Sequence, residues 1–397
     1  MTVQTIHRPM NLTTATENSP GSRGASTKMP LLITIRFVIK YNKMIKNYKI
    51  YFPKGIIHCK NYKEKICLHL LEHLIIHSLS KKLNLQIPKD IKGGVVFDYV
   101  WFRLFFEEKN ILQVQNYLQN IKKNIHKSLF FIEEKRIFEE LLWRKYNLLD
   151  PIGKIEEIIF PKIFNLTEPP FSYRSKILKT ISFKDIISFI DKFFDYSEML
   201  ILEFSDNEYK IIKKPEKSIK FDNNVLYYQK ENFFKLKSKK LPSASVFAFS
   251  FSPDPKTILF INFLGKYLNS LIKEKIIFQG LAYSHFYKLY YFFLDKITIL
   301  ILIPSSKSKI VFNKFNKLLK SKNLFSSENF MNFKEDTSKI IKTKFFKYFE
   351  PYIIYSIFKN ENSDSLQKFI KEIKNLDIKD FKNIFQKDKK IYKFLIN

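Results

Sequence analysis

The chain has 397 residues, 45% of them apolar and 16% aromatic, which supplies buried cores for two or three domains and excludes a disordered or fibrous chain. A formal charge of +31 would point to nucleic acid or an anionic membrane. The surplus of Lys, Ile, Asn, Phe and Tyr, however, runs evenly from about residue 40 to the end, as compositional drift does, and forms no single basic cluster. Only Cys59 and Cys67 are present, so no disulfide framework is implied, and no apolar run reaches the roughly 18 residues of a membrane span.

Residues 1–29 are rich in Ser, Thr and Asn, nearly free of acids, and lack the apolar stretch of a secretory signal. They read as a disordered tail, a tag or an organellar targeting segment. The expected compartment is cytoplasmic, or organellar if the segment is a genuine transit peptide. From Leu31 the pattern is mixed: strands at Leu31–Ile39 and Tyr48–Phe52, then apolar residues at helical spacing from Glu64 to Lys82. Gly93-Gly94 reads as a turn, Val95–Phe106 as an aromatic strand, and Ile111–Ser128 and Phe131–Tyr146 as helices. A Pro-rich loop at Pro169-Pro170 leads to a helix near Phe183–Phe194 and a strand at Met199–Phe204.

Residues 205–240 are charged and weakly periodic, so a linker is expected at 211–240, between a first module at 30–210 and a second at 241–397. The second half repeats the order of the first. A strand at Ser245–Phe251 precedes a helix at Pro255–Glu274, a Gly280 turn, strands at Leu281–Phe293 and Ile297–Ile303, and helices to the end. Duplication of an α+β unit is the simplest account.

The chemistry is carried by His69-Leu70-Leu71-Glu72-His73. Two histidines four apart on a helix project from one face and can share a metal ion, and Glu72 between them can reach a water beside it. A zinc site that acts on a substrate needs three protein ligands and one open position. The third ligand should come from the later helix, where Glu133 and Glu140 stand seven apart on one face. His77 extends the stripe as a minor metal candidate, and His58, His126 and His285 read as ordinary surface or core residues. Cys67 points away from His69 and reads as a small buried thiol.

The stretch resembles the pitrilysin-type inverzincin peptidases, the group that includes mitochondrial processing peptidase and small bacterial processing peptidases. The likeness covers the motif helix, Gly93-Gly94, the strand VVFDYVWFRLFF, the helix ILQVQNYLQNIKKNI and the segment Glu133 to Glu140. A second match lies at Phe263-Leu264-Gly265-Lys266-Tyr267-Leu268 and Gly280-Leu281-Ala282-Tyr283-Ser284. The resemblance implies zinc held by His69, His73 and Glu140, Glu72 as general base, Glu133 orienting a ligand, and Tyr283 touching substrate. It implies an α+β fold of two similar modules, each an antiparallel-rich sheet packed with helices, assembled as a clam shell around a peptide substrate.

Two departures stand out. His73 and Glu140 are 67 positions apart, shorter than the family spacing, and the substrate-gripping Arg expected seven residues before Tyr283 is Ile276, with Lys275 the nearest cation. The implied assembly is therefore a dimer, in one form a heterodimer whose other chain supplies the Arg/Tyr pair. The expected function is zinc-dependent endopeptidase. Its rivals are a non-catalytic subunit of the same fold and a basic nucleic-acid-binding protein.

Overall fold

The protein is described by a computed structural model covering residues 45–96, 98–146, 155, 159, 171–219, 233–237, 242–251, 254–292, 296–320, 325–359, 371–372, 374–387 and 390–396. The expected strand at 31–39, the segment 1–29 and the Pro169-Pro170 loop lie outside these residues. The first half holds β1 (Ile45–Phe52), α1 (Tyr62–Leu83), β2 (Ile91–Val95), β3 (Val100–Glu107), α2 (Ile111–Gln119), α3 (Lys127–Tyr146), α4 (Phe171–Thr180), α5 (Phe183–Phe193), β4 (Leu200–Phe204) and β5 (Tyr209–Lys213). The second half holds β6 (Phe233–Leu236), β7 (Ala244–Phe251), α6 (Pro255–Ile272), β8 (Phe286–Phe292), β9 (Lys296–Pro304), α7 (Ser308–Leu319), α8 (Ser327–Phe358), α9 (Ile378–Lys387) and β10 (Lys390–Ile396).

The two sheets have matching orders, β2-β3-β1-β4-β5 and β6-β10-β7-β9-β8. In each, a central strand, β1 or β7, lies between the second strand of a hairpin and a later strand of its half, and all these pairings are antiparallel. The exception is β6, which runs parallel to β10. The fold is therefore α+β, built twice.

Alternation along the strands shows why the halves stay together. Tyr48, Ile50 and Phe52 of β1 enter a core with α1 and α5, while Tyr51, with Leu200 and Leu202 of β4, faces the core that contains α8 of the other half. Sheet two reciprocates: Val246, Ala248, Leu300 and Phe394 pack on Ile155 and Ile159 from the first half. At the first of these seams Glu350 of α8 accepts hydrogen bonds from Lys49 Nζ at 2.5 Å and Tyr51 Oη at 2.7 Å.

Several expectations are corrected. Gly93 and Gly94 are no turn; they lie within β2, opposite Phe102 and Trp101. The chain ends on a strand, β10, at the apolar alternation KIYKFLI, where helices were expected. Strands β5 and β6 lie within 205–240, where hydrogen bonding to neighbouring strands overrides weak periodicity, and 220–232, inside the expected linker, lie outside the described residues.

Helix α1 starts where Asn61 accepts from the Glu64 amide and stops at Asn84, whose left-handed backbone (φ 52°) closes the last turn. It is fastened to α5 through Lys63, which donates to Asp185 at 2.8 Å, while Asp185 also caps α5 with Ser182. Lys63 and the Ser182 bonds draw the Asp185 carboxyl down to about 2. Its contribution is present above the ordinary value of 3.8 and is lost as pH falls toward 2. Asp185→Ala is expected to cost about 1 kcal/mol at pH 7, with the gap to wild type closing in thermal unfolding scans near pH 2.

Candidate metal centre

Along α1 the residues Leu70, Leu71, Leu74 and Ile75 are buried in the first module's core, and His69, His73 and His77 follow one another up the flank that meets α3. On α3, Ile137 is buried between Glu133 and Glu140, at i+4 and i+7 from Glu133, so both carboxylates face α1. The helix period puts the residues of each set on one face of their own helix, and the packing of α1 against α3 brings the two faces into one seam.

The ligand atoms of His69, Glu72 and His73 lie within 4.8 Å of one another. Glu140 Oε2 stands 3.4 Å from His69 Nε2 and 3.7 Å from His73 Nε2. Glu72 Oε2 is 3.9 and 3.8 Å from the same nitrogens. Ligands about 2.0–2.1 Å from a tetrahedral zinc stand roughly 3.4 Å apart, so the spacing and the N,N,O donor set suit that ion. The two imidazoles meet edge to face, with ring centroids 4.8 Å apart. The group could hold a metal ion.

Behind it, Glu133 is wholly buried, at 0% exposure. Its Oε2 accepts from His73 Nδ1 at 3.0 Å, its Oε1 from His77 Nδ1 at 2.5 Å, and Arg136 reaches both oxygens at 2.9 and 3.2 Å. Burial opposes the Glu133 charge, but the two histidine bonds and Arg136 outweigh it and hold the carboxyl below its ordinary value. For His73 burial likewise works against the cation. The bond to Glu133 and the charges of Glu72 and Glu140 prevail and raise its pKa above 6.5.

The edge strand β2 closes one side. A Cβ on Gly93 would come within 3.0 Å of Glu72 Oε1 and 2.9 Å of both the Phe102 ring and the Trp101 carbonyl, so glycine lets this backbone pass directly beside the Glu72 carboxylate.

Tyr283 is 97% exposed on the turn after Gly280, whose φ of +65° needs glycine, and Lys275 is paired with Glu274. Both Cys59 and Cys67 are buried, and burial pushes each thiol up to about 12, as suits inert core residues. The engagement of His77 and Arg136 with Glu133 escaped the sequence reading. The only signal for it was spacing: His77 at i+4 from His73, and Arg136 at i+3 from Glu133.

The fold is similar to that of solved proteases, an M16-like peptidase among them. A protease from Helicobacter pylori superposes with a TM-score of 0.61 at 14% identity, covering 89% of this chain and 94% of that one. A putative M16-like peptidase from Alicyclobacillus acidocaldarius gives 0.54 at 10% identity, covering 89% and 93%. The periplasmic protease PqqL from Escherichia coli gives 0.57 at 11% identity, covering 89% of this chain but 45% of that protein. No family model matches the sequence, and no curated protein matches it significantly. Among the described residues no helix is long and apolar enough to cross a membrane.

Proposed function

We propose that the protein is a zinc-dependent endopeptidase, with His69, His73 and Glu140 as metal ligands and Glu72 as general base. A shared fold does not by itself confer an activity. The observation that carries the reading is the convergence of these four side chains from two helices at ligand spacing. When bound, zinc would polarise the scissile carbonyl and bring the pKa of its water near neutrality. The Glu72 carboxylate would accept a proton from the attacking water and return it to the leaving amine. Glu140, from the other helix, completes the donor set, and proton transfer falls to Glu72.

The substrate class we infer is an extended peptide or unfolded segment. Strand β2 is an edge of its sheet and runs past Glu72, so a peptide adding to that edge would bring its backbone beside the base. Tyr283, on the second module, would contribute a hydrogen bond to substrate. We propose a dimer, with a related chain supplying the cationic partner that Ile276 does not. That this chain spans under half of PqqL is consistent with such a two-unit assembly.

The test is zinc content by mass spectrometry, with cleavage of a quenched peptide mixture followed in the same samples. Wild type is expected to carry about one zinc per chain and to lose cleavage with a chelator, and His69→Ala and Glu140→Gln to lose both metal and activity. Wild type without zinc would sink the catalytic assignment. Gly93→Ala is expected to keep its zinc while kcat falls about 10–100-fold, because the added methyl presses on the Trp101 carbonyl, the Phe102 ring and the Glu72 carboxylate, so that β2 and Glu72 both shift. Unchanged kcat there would argue against the closeness of β2 to the reacting atoms.

A further inference from the structure

His77 lies one turn beyond His73 on the same flank of α1, and the proposed chemistry does not use it. Its Nδ1 is nonetheless 2.5 Å from Glu133 Oε1, closer than His73 Nδ1 is to Oε2. A carboxylate only accepts, so both Nδ1 atoms carry protons, and in neutral His73 the lone pair is left on Nε2, the atom nearest Glu140. Arg136 also reaches Glu133, but it belongs to the same helix, and its side chain is 53% exposed. His77 comes from the helix that bears His73. It therefore fixes the carboxylate of α3 relative to the ring that carboxylate must orient.

We propose that His77 is a positioning residue: by holding Oε1 of Glu133 it commits Oε2 to His73 Nδ1 and keeps His73 Nε2 aimed at the space between His69 and Glu140. Without it, the buried carboxylate turns toward Arg136 and His73 loses its fixed tautomer. The inference rests on the metal-site reading for its consequence, but its geometry belongs to the protein without metal.

The test compares wild type, His77→Phe and His77→Gln. Nitrogen-15 spectra of selectively histidine-labelled, metal-free protein, recorded at a pH where His73 is neutral, report its tautomer, and competition with a chelating dye reports zinc affinity. In His77→Phe the His73 signals are expected to become a mixture of tautomers and zinc Kd to rise about tenfold. In His77→Gln, whose amide can still donate to Glu133, both are expected to return to within about threefold of wild type. His77→Met serves the same purpose should the Phe variant fail to fold. A wild-type tautomer and Kd in His77→Phe, or equal losses in Phe and Gln variants, would overturn the proposal. Wild-type protein that binds no zinc, while its His73 tautomer still depends on His77, would sustain the positioning role and remove the metal reading alone.

Discussion

Glu72→Gln is expected to keep about one zinc per chain while kcat falls by about 10²–10⁴-fold, the usual range for removal of a positioned general base. The amide matches the carboxylate in shape but takes no proton at neutral pH. Glu72 is buried, its Oε1 lies against Gly93, and its Oε2 stands slightly farther from the histidine nitrogens than Glu140 Oε2 does. The substitution should therefore leave the donor set whole. Because Glu72 and Glu140 both approach the histidines, metal analysis of the two Gln variants decides their roles. Zinc lost in Glu72→Gln and kept in Glu140→Gln would exchange them.

Glu133→Ala has the second largest expected effect. It strips the partner from His73 Nδ1 and His77 Nδ1 and leaves Arg136 without its acceptor. Zinc affinity should fall about 10–100-fold, and the metal-free protein should lose about 1–3 kcal/mol of stability for the buried donors left unpaired. The pH dependence follows from the two opposed shifts. The lowered Glu133 contributes fully above its ordinary 4.5, and this share is lost as pH falls through its depressed value. The raised His73 contributes fully below 6.5, and its share is lost as pH rises through its elevated value. The pair thus stabilises the metal-free wild type most between about 4.5 and 6.5. Urea unfolding across pH should show this window in wild type and a flatter profile in Glu133→Ala; identical profiles would mean the cluster adds nothing to stability.

Local pattern alone made α1, α6 and the long strands β1, β3, β7 and β9 legible, because helical or alternating periodicity recurs over enough residues to exceed noise. The same periodicity placed His69 with His73, and Glu133 with Glu140, each pair on one face of its own helix. The errors fell where neighbours decide. Gly93-Gly94 reads as a turn by composition, yet it is an edge strand because β3 supplies its hydrogen bonds and a side chain there would strike Glu72 and the β3 backbone. KIYKFLI at the terminus is a strand because β7 and β6 lie on either side of it.

By itself, then, the sequence determined the α+β class from the order of its elements and put His69 with His73, and Glu133 with Glu140, on one face of their helices, since that follows from spacing along one element; the choice of Glu140 as third ligand came from the resemblance. Only the tertiary structure decided that α1 and α3 meet along their histidine and glutamate flanks, and that Glu133 binds His73 and His77 at once. It also decided that each sheet's second face is covered by the other half. Those outcomes depend on packing between segments tens to hundreds of residues apart, and no periodicity within one segment encodes which distant surface will cover it.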